Sequence, residues 1–221
     1  MDIKTAILQR HACRAFLDKA VSDDLLKAVL DIARWAPSGV NTQPWKVAVV
    51  RGYHKQALTD ALIQARDNDQ QPNPDYAYYP TAWIDPYKSR RKACGLALYA
   101  ALEIGREDSE KQKQAWYNNY RFFGAPIGLF IFIDADLSQG SWLDLGMFVQ
   151  NLMLAAAGEG LATCPQASLA DYPDIVRQQL DWPASDKLAC GISLGYADKA
   201  KPVNQYRLER EPVDSFTKWY D

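Results

Sequence analysis

Two guanidiniums stand four positions apart in Arg10-His11-Ala12-Cys13-Arg14, a spacing that from a helix end aims both the same way. Such a pair can grip a phosphate through fork-shaped, charge-assisted hydrogen bonds. Taken alone it reads as two solvated surface arginines, because charged side chains are mostly exposed. Arg207, near the other end of the chain, is a third candidate phosphate ligand and by itself only a surface charge. A second chemical segment, Ala36-Pro37-Ser38-Gly39-Val40-Asn41-Thr42-Gln43-Pro44-Trp45, crowds amides, a hydroxyl, a glycine and two prolines together. A planar heteroaromatic ring offers alternating donors and acceptors at its edge, which Asn41 and Gln43 can match. Without other observations the same stretch is an ordinary Pro/Gly turn, with Pro44 and Trp45 packing rather than recognising. Only His11 and His54 supply imidazoles, and Cys13, Cys94, Cys164 and Cys190 never form a Cys-x-x-Cys pair. No metal site, redox dithiol or histidine triad is therefore expected, and the thiols read as reduced, mostly buried small hydrophobes.

These residues need elements to hold them. Ser22, Asp23 and Asp24 supply a cap and first-turn acids for a helix with Leu25, Val29, Ile32 and Ala33 at helical spacing, ended by Pro37. Residues 46–50 read as a strand, Gly52 as a turn and 53–66 as an amphipathic helix. Helices are expected at 88–104 and 109–118, after an irregular region at 67–86. The run Ile127 to Ile133 has the β-branched and aromatic character of a central strand buried on both faces. An apolar helix at 142–157, stopped by Gly158 and Gly160, suits a domain centre or a subunit interface. A helix at 173–180 and a strand at 188–194 follow. The arm 201–221 carries Tyr206, Phe216, Trp219 and Tyr220, which pack on their own domain or embrace a partner subunit. The class is α+β or three-layer α/β, with helices outnumbering strands.

In composition, 221 residues with 48% hydrophobic content suffice for a core. Lysine and arginine total 25 against 27 acids, so no global field attracts nucleic acid or anionic lipid. The longest apolar stretch, 125–133, is too short to cross a bilayer, and the N-terminus lacks the pattern of a signal segment. A cytoplasmic protein is expected.

The loop 36–45 resembles the Ser-Pro-Ser-x-x-Asn-x-Gln-Pro-Trp signature of the nitroreductase superfamily, with Ala36 in place of the leading Ser. The N-terminal arginines, Gly-Leu-x-x-x-Pro at 160–165 and Arg207 follow in the order that family shows. Cys164-Pro165-Gln166-Ala167 and Asn204-x-x-Arg207 look most like the branch that includes nitrobenzoate reductases. The resemblance implies a single FMN-binding domain over 1–221, of three-layer α/β/α form, with a C-terminal arm exchanged across a homodimer. It implies that Arg10, His11, Ala12, Arg14 and Arg207 hold the ribityl phosphate, while Pro37, Ser38, Gly39 and Asn41 come from the other subunit. Pro165, Gln166 and Ala167 would face the isoalloxazine with backbone amides near N5. Ala12 departs from the hydroxyl residue common there, leaving open whether Cys13 replaces it. The implied activity is ping-pong hydride transfer from NADH or NADPH through flavin N5 to a nitroaromatic or quinone-like acceptor, with no essential acid-base side chain. Residues 76–123 would wall the acceptor, with Val40, Tyr120, Phe122 and Phe123 in contact and Arg121 pairing a substrate carboxylate, although core packing and surface exposure also account for these residues. Reductive dehalogenation and non-catalytic FMN storage are the alternatives on the same scaffold.

Overall fold

The computed structural model describes residues 1–220, so Asp221, the last residue of the expected arm, lies outside it. Among the described residues the helices are α1 (Ile3–Gln9), α2 (Asp23–Ala33), α3 (Gly52–Asp67), α4 (Tyr87–Ala101), α5 (Ser109–Tyr117), α6 (Gln139–Gly158) and α7 (Pro173–Leu180). The strands are β1 (Trp45–Val50), β2 (Ile127–Asp134), β3 (Ala162–Gln166) and β4 (Asp186–Gly195). They form one sheet in the order β1-β2-β4-β3, with every neighbouring pair antiparallel. None of these helices is long and apolar enough to cross a membrane.

Strand β2 organises the core. Ile127, Leu129, Ile131 and Ile133 enter one buried cluster with Val29 of α2 and Leu145, Phe148 and Leu152 of α6. Phe130 and Phe132 enter the other, with Leu58 and Leu62 of α3 and Val176 of α7. This two-residue alternation sends apolar side chains to both faces, so helices must cover both. The expected three-layer α/β/α arrangement with a central β2 is what forms. Local chemistry sets the ends: Ser22 accepts the Leu25 N–H at the start of α2, Pro173 opens α7, and Asp181 closes it in the left-handed conformation.

The elements expected from the sequence are present with small shifts in their ends, while two others were not anticipated. Helix α1 stops at Gln9, so Arg10 is its cap and Arg14 lies in extended chain beyond it. The helical spacing assumed for the two arginines is therefore corrected. Strand β3 escaped notice because it contains Pro165, which an edge strand tolerates and a central one does not. Gly52, expected as a turn, is the first residue of α3 at φ 51°.

Strand β4 carries a bulge at the register shift between Ile131 and Phe132. Ile131 pairs with Cys190 and Phe132 with Leu188, so Ala189 is the extra residue. The alternation inverts there: Ile192 and Leu194 pack with α2 and α6, but Leu188 packs with α3 and α7.

Candidate functional site

Residues 10–16 are non-helical, and their middle meets β3 while Phe16 bridges Ala197. Ala12 forms a parallel bridge with Thr163, and the Cys13 N–H donates to the Thr163 carbonyl at 3.0 Å. Buried Asn204 ties the far end of the chain to this segment: its Oδ1 accepts the Arg14 N–H at 2.8 Å, and its Nδ2 donates to the carbonyls of Ala15 and Asp198 at 2.8 and 2.9 Å. Arg14 Nη1 donates to the Tyr206 hydroxyl at 3.2 Å, and Arg207 Nη1 to the Asn204 and Tyr206 carbonyls at 2.9 and 2.8 Å. The structure thus brings Arg10, His11, Arg14 and Arg207 together across nearly two hundred residues of sequence, by an extended segment and one asparagine rather than by a helix face.

None of Arg10, Arg14 and Arg207 forms an ion pair among the described residues. Burial, then the charge of Arg210, disfavours the ionised form of Arg10. His11 Nδ1 lies 3.0 Å from the Gln9 carbonyl, while its Nε2 is buried without a partner. Burial pulls the imidazole below its ordinary range, and Arg207 and Arg10 repel its charge further. A dianion would reverse that balance and turn Nε2 into a donor. Cys13 does not stand in for a hydroxyl at position 12. Its buried thiol donates inward to the Ala15 carbonyl at 3.2 Å, and burial raises its pKa.

Two residues beyond Thr163, about 7 Å along the strand, β3 reaches a cavity of about 530 Å³ lined by Pro165, Gln166 and Ala167. Its other walls include Trp142, Val149 and Met153 of α6, Ala189 and Cys190 of β4, and Tyr76 and Tyr78 of the irregular segment. Gln166 turns its side chain away: Nε2 donates to the Asn119 carbonyl at 2.8 Å, and Oε1 accepts the Ser193 hydroxyl. What position 166 can offer a ligand is therefore backbone. The Tyr76 ring lies 4.6 Å from Trp142, and its hydroxyl donates to the Ala189 carbonyl at 2.7 Å. This flat-faced, apolar space suits a planar aromatic molecule.

The loop 36–45 leans on α6 instead of entering this cavity. The Gly39 N–H donates to Asp144 at 3.1 Å, and Ser38 Oγ accepts the Gln43 N–H at 3.0 Å. Pro37, Ser38, Gly39, Val40 and Asn41 are not among the residues lining the cavity of their own chain. Val40, Asn41 and Gln43 hold φ of 45°, 60° and 50°, a conformation that is costly for a β-branched valine. Val40 is 98% exposed. Trp45 packs as expected, stacked on Phe148 at 4.8 Å.

The expected aromatic wall is corrected. Tyr120 and Phe122 are fully buried on the α3/α7 side of the sheet, and Tyr120 packs edge-on against Trp116 at 4.9 Å. Half-buried Phe123 sits in a left-handed turn and does not line the cavity. The 3-10 turn at Phe122–Gly124 leads into β2 on that side of the sheet. Exposed Arg121 lies over the Tyr117 ring, 5.9 Å from its centroid. Their place is taken by Tyr76, Tyr78 and Trp142. The density of aromatics at Tyr76, Tyr78, Tyr79 and Trp83 was a signal for this wall, while Trp142 read only as the start of a helix.

Comparison with known proteins finds a matching family and similar folds. A profile described as the nitroreductase family matches residues 7–196. The chain is 40% identical over 216 residues to a 4-nitrobenzoate reductase of Pseudomonas putida, covering 98% of this chain and 94% of that protein. Its fold is similar to the crystal structure of the FMN- and NADPH-dependent nitroreductase NfnB from Sphigopyxis sp. strain HMH, with TM-score 0.97 and 37% identity over 100% of both chains. NfnB from Mycobacterium smegmatis, solved in complex with NADPH, is similar with TM-score 0.94 and 35% identity, over 99% of this chain and 97% of that one.

Proposed function

The chain belongs to the nitroreductase family, and we propose that it is an FMN-dependent NAD(P)H oxidoreductase that reduces nitroaromatic or quinone-like acceptors as a cytoplasmic homodimer. The observation that carries this reading is, among the described residues, three guanidiniums without a carboxylate and an unpartnered buried His11 Nε2, one strand's reach from an apolar cavity. That donor set fits a phosphate, and the cavity fits the attached ring.

In this reading residues 1–221 form one FMN-binding domain. Arg10, His11, Arg14 and Arg207 hold the phosphate, with Ala12 contributing backbone alone. Pro165, Gln166 and Ala167 border the ring, with main-chain groups available because the Gln166 side chain is committed to Asn119 and Ser193. Pro37, Ser38, Gly39 and Asn41 reach the partner subunit's cofactor, with Val40 toward its acceptor, which fits a strained loop that stands clear of its own cavity. FMN supplies two-electron transfer from NADH or NADPH to the acceptor. The chain's own residues bind, orient and exclude water: Tyr76, Tyr78 and Trp142 present flat faces, and Val149 and Met153 keep the space apolar. The cysteines are free, as a reducing compartment requires.

The purified protein is expected to show flavin absorption in the blue and near-ultraviolet. Anaerobic NADH or NADPH should bleach it, and a nitroarene such as 4-nitrobenzoate should restore it. A colourless protein that stays so after FMN reconstitution overturns the cofactor assignment. A flavin that NADH and NADPH leave unbleached, with nitroarene and quinone also unchanged, would instead favour a storage role.

A further inference from the structure

The segment between α3 and α4 is stapled along its first half and unsupported along its second. The Tyr172 hydroxyl donates to the Gln70 carbonyl at 2.9 Å, and the Asn73 N–H donates to the Asp171 carbonyl at 2.9 Å. Arg177 then grips Asp75 with both arms of its guanidinium, at 2.7 and 3.0 Å. Among the described residues no backbone–backbone hydrogen bond involves residues 74–83. Tyr78 and Tyr79 are held by ring contacts, 6.2 Å from Tyr76 to Tyr78 and 4.7 Å from Tyr78 to Tyr79. Tyr76, at the end of the stapled half, is the last residue with a polar anchor on the sheet.

That anchor completes a strand edge. Strand β3 ends at Gln166 opposite Gly191, so β4 residues before Gly191 have no strand neighbour on that side. Two side chains occupy the gap: Asp75 Oδ2 accepts the Leu188 N–H at 2.7 Å, and the Tyr76 hydroxyl donates to the carbonyl of the bulged Ala189 at 2.7 Å. Arg177 fixes the arrangement from below through the Asp186 carbonyl at 3.0 Å. The Arg177 and Asp75 side chains are 13% and 16% exposed, shielded enough for a forked pair to act as a rigid joint. Tyr76 in turn meets Trp142 across the cavity wall.

We propose that Asp75 and Arg177 are positioning residues for the acceptor: their pair holds Tyr76 against β4 and so sets the size of aromatic molecule the cavity admits, without contributing to cofactor retention. This rests on the reading that the cavity receives an aromatic acceptor beside FMN. The pair lies outside the phosphate cluster, and its effect passes through one tyrosine ring.

The test compares FMN-loaded wild type with Asp75→Asn and Tyr76→Phe, using 4-nitrobenzoate and 4-nitro-1-naphthoate, which share a carboxylate and differ by one ring. Both variants should raise the two-ring over one-ring ratio of kcat/KM about fivefold, equivalent to ~1 kcal/mol. Flavin content and the FMN Kd of the apoprotein should stay within about twofold of wild type. An unchanged ratio, or an equal fall for both acceptors together with loss of FMN, overturns the proposal. Should Asp75→Asn fail to fold, Tyr76→Phe, which removes one hydroxyl and keeps the ring, decides alone. Failure of the underlying reading is separate: wild type itself would then bind no FMN or reduce neither acceptor.

Discussion

A guanidinium drawn partly out of water without a carboxylate beside it burdens the folded chain until an anion shares it. Arg14 shows how the burden is held: its backbone is fixed by Asn204 and one arm by the Tyr206 hydroxyl, leaving its other donors for a ligand. Arg14→Met is expected to weaken FMN binding roughly 10- to 100-fold, the worth of a hydrogen bond to a charged group. Fluorescence titration of the apoprotein measures it, and an unchanged Kd would remove Arg14 from the phosphate site. The two arginines read alone as surface charges, and the family resemblance marked them with His11 as candidate phosphate ligands. Asn204 was the hidden residue, because an asparagine reveals its hinge role only once Ala15 and Asp198 are known to lie beside it.

Among the elements, β2 and β4 decide where the site's walls stand. Gly128 of β2 faces the ring of buried Phe122, so close that an added Cβ would overlap it. Gly128→Ala is therefore expected to destabilise by about 1–3 kcal/mol through overpacking. Thermal unfolding checks this, and a melting temperature equal to wild type would mean that Phe122 moves aside freely. The same close packing explains why Phe122 is core: its ring fills the space that Gly128 leaves. In β4, the extra residue at Ala189 turns Leu188 to the opposite face from Ile192. It also aims the Ala189 carbonyl at Tyr76.

At the scale of the whole molecule, apolar surface remains that one chain leaves uncovered. Leu143 on α6 is 73% exposed, and Ile3, Ile7 and Leu8 of neighbouring α1 also face solvent. The arm adds exposed Phe216, Trp219 and Tyr220, while Glu211 pairs with Arg90 of α4 at 2.9 Å. These exposed apolar side chains are consistent with the homodimer proposed above. Leu143→Arg is expected to convert the proposed dimer to a monomer in sedimentation experiments and to lower FMN occupancy with it. A variant that stays dimeric with full flavin would place the interface elsewhere.

The amino-acid order alone determined the layered architecture, because β2 alternates apolar side chains to two faces and the helices carry matching stripes. It also supplied the residue types at Arg10, Arg14, Arg207 and the loop 36–45 that carry the family resemblance, since these are read at short range. The tertiary structure decided which aromatics line the cavity. That choice depends on a bulge, on a turn that sends Tyr120 inward, and on the long-range joint between Asp75 and Arg177. Local periodicity carries no signal of a one-residue slip in a strand or of a partner one hundred positions away.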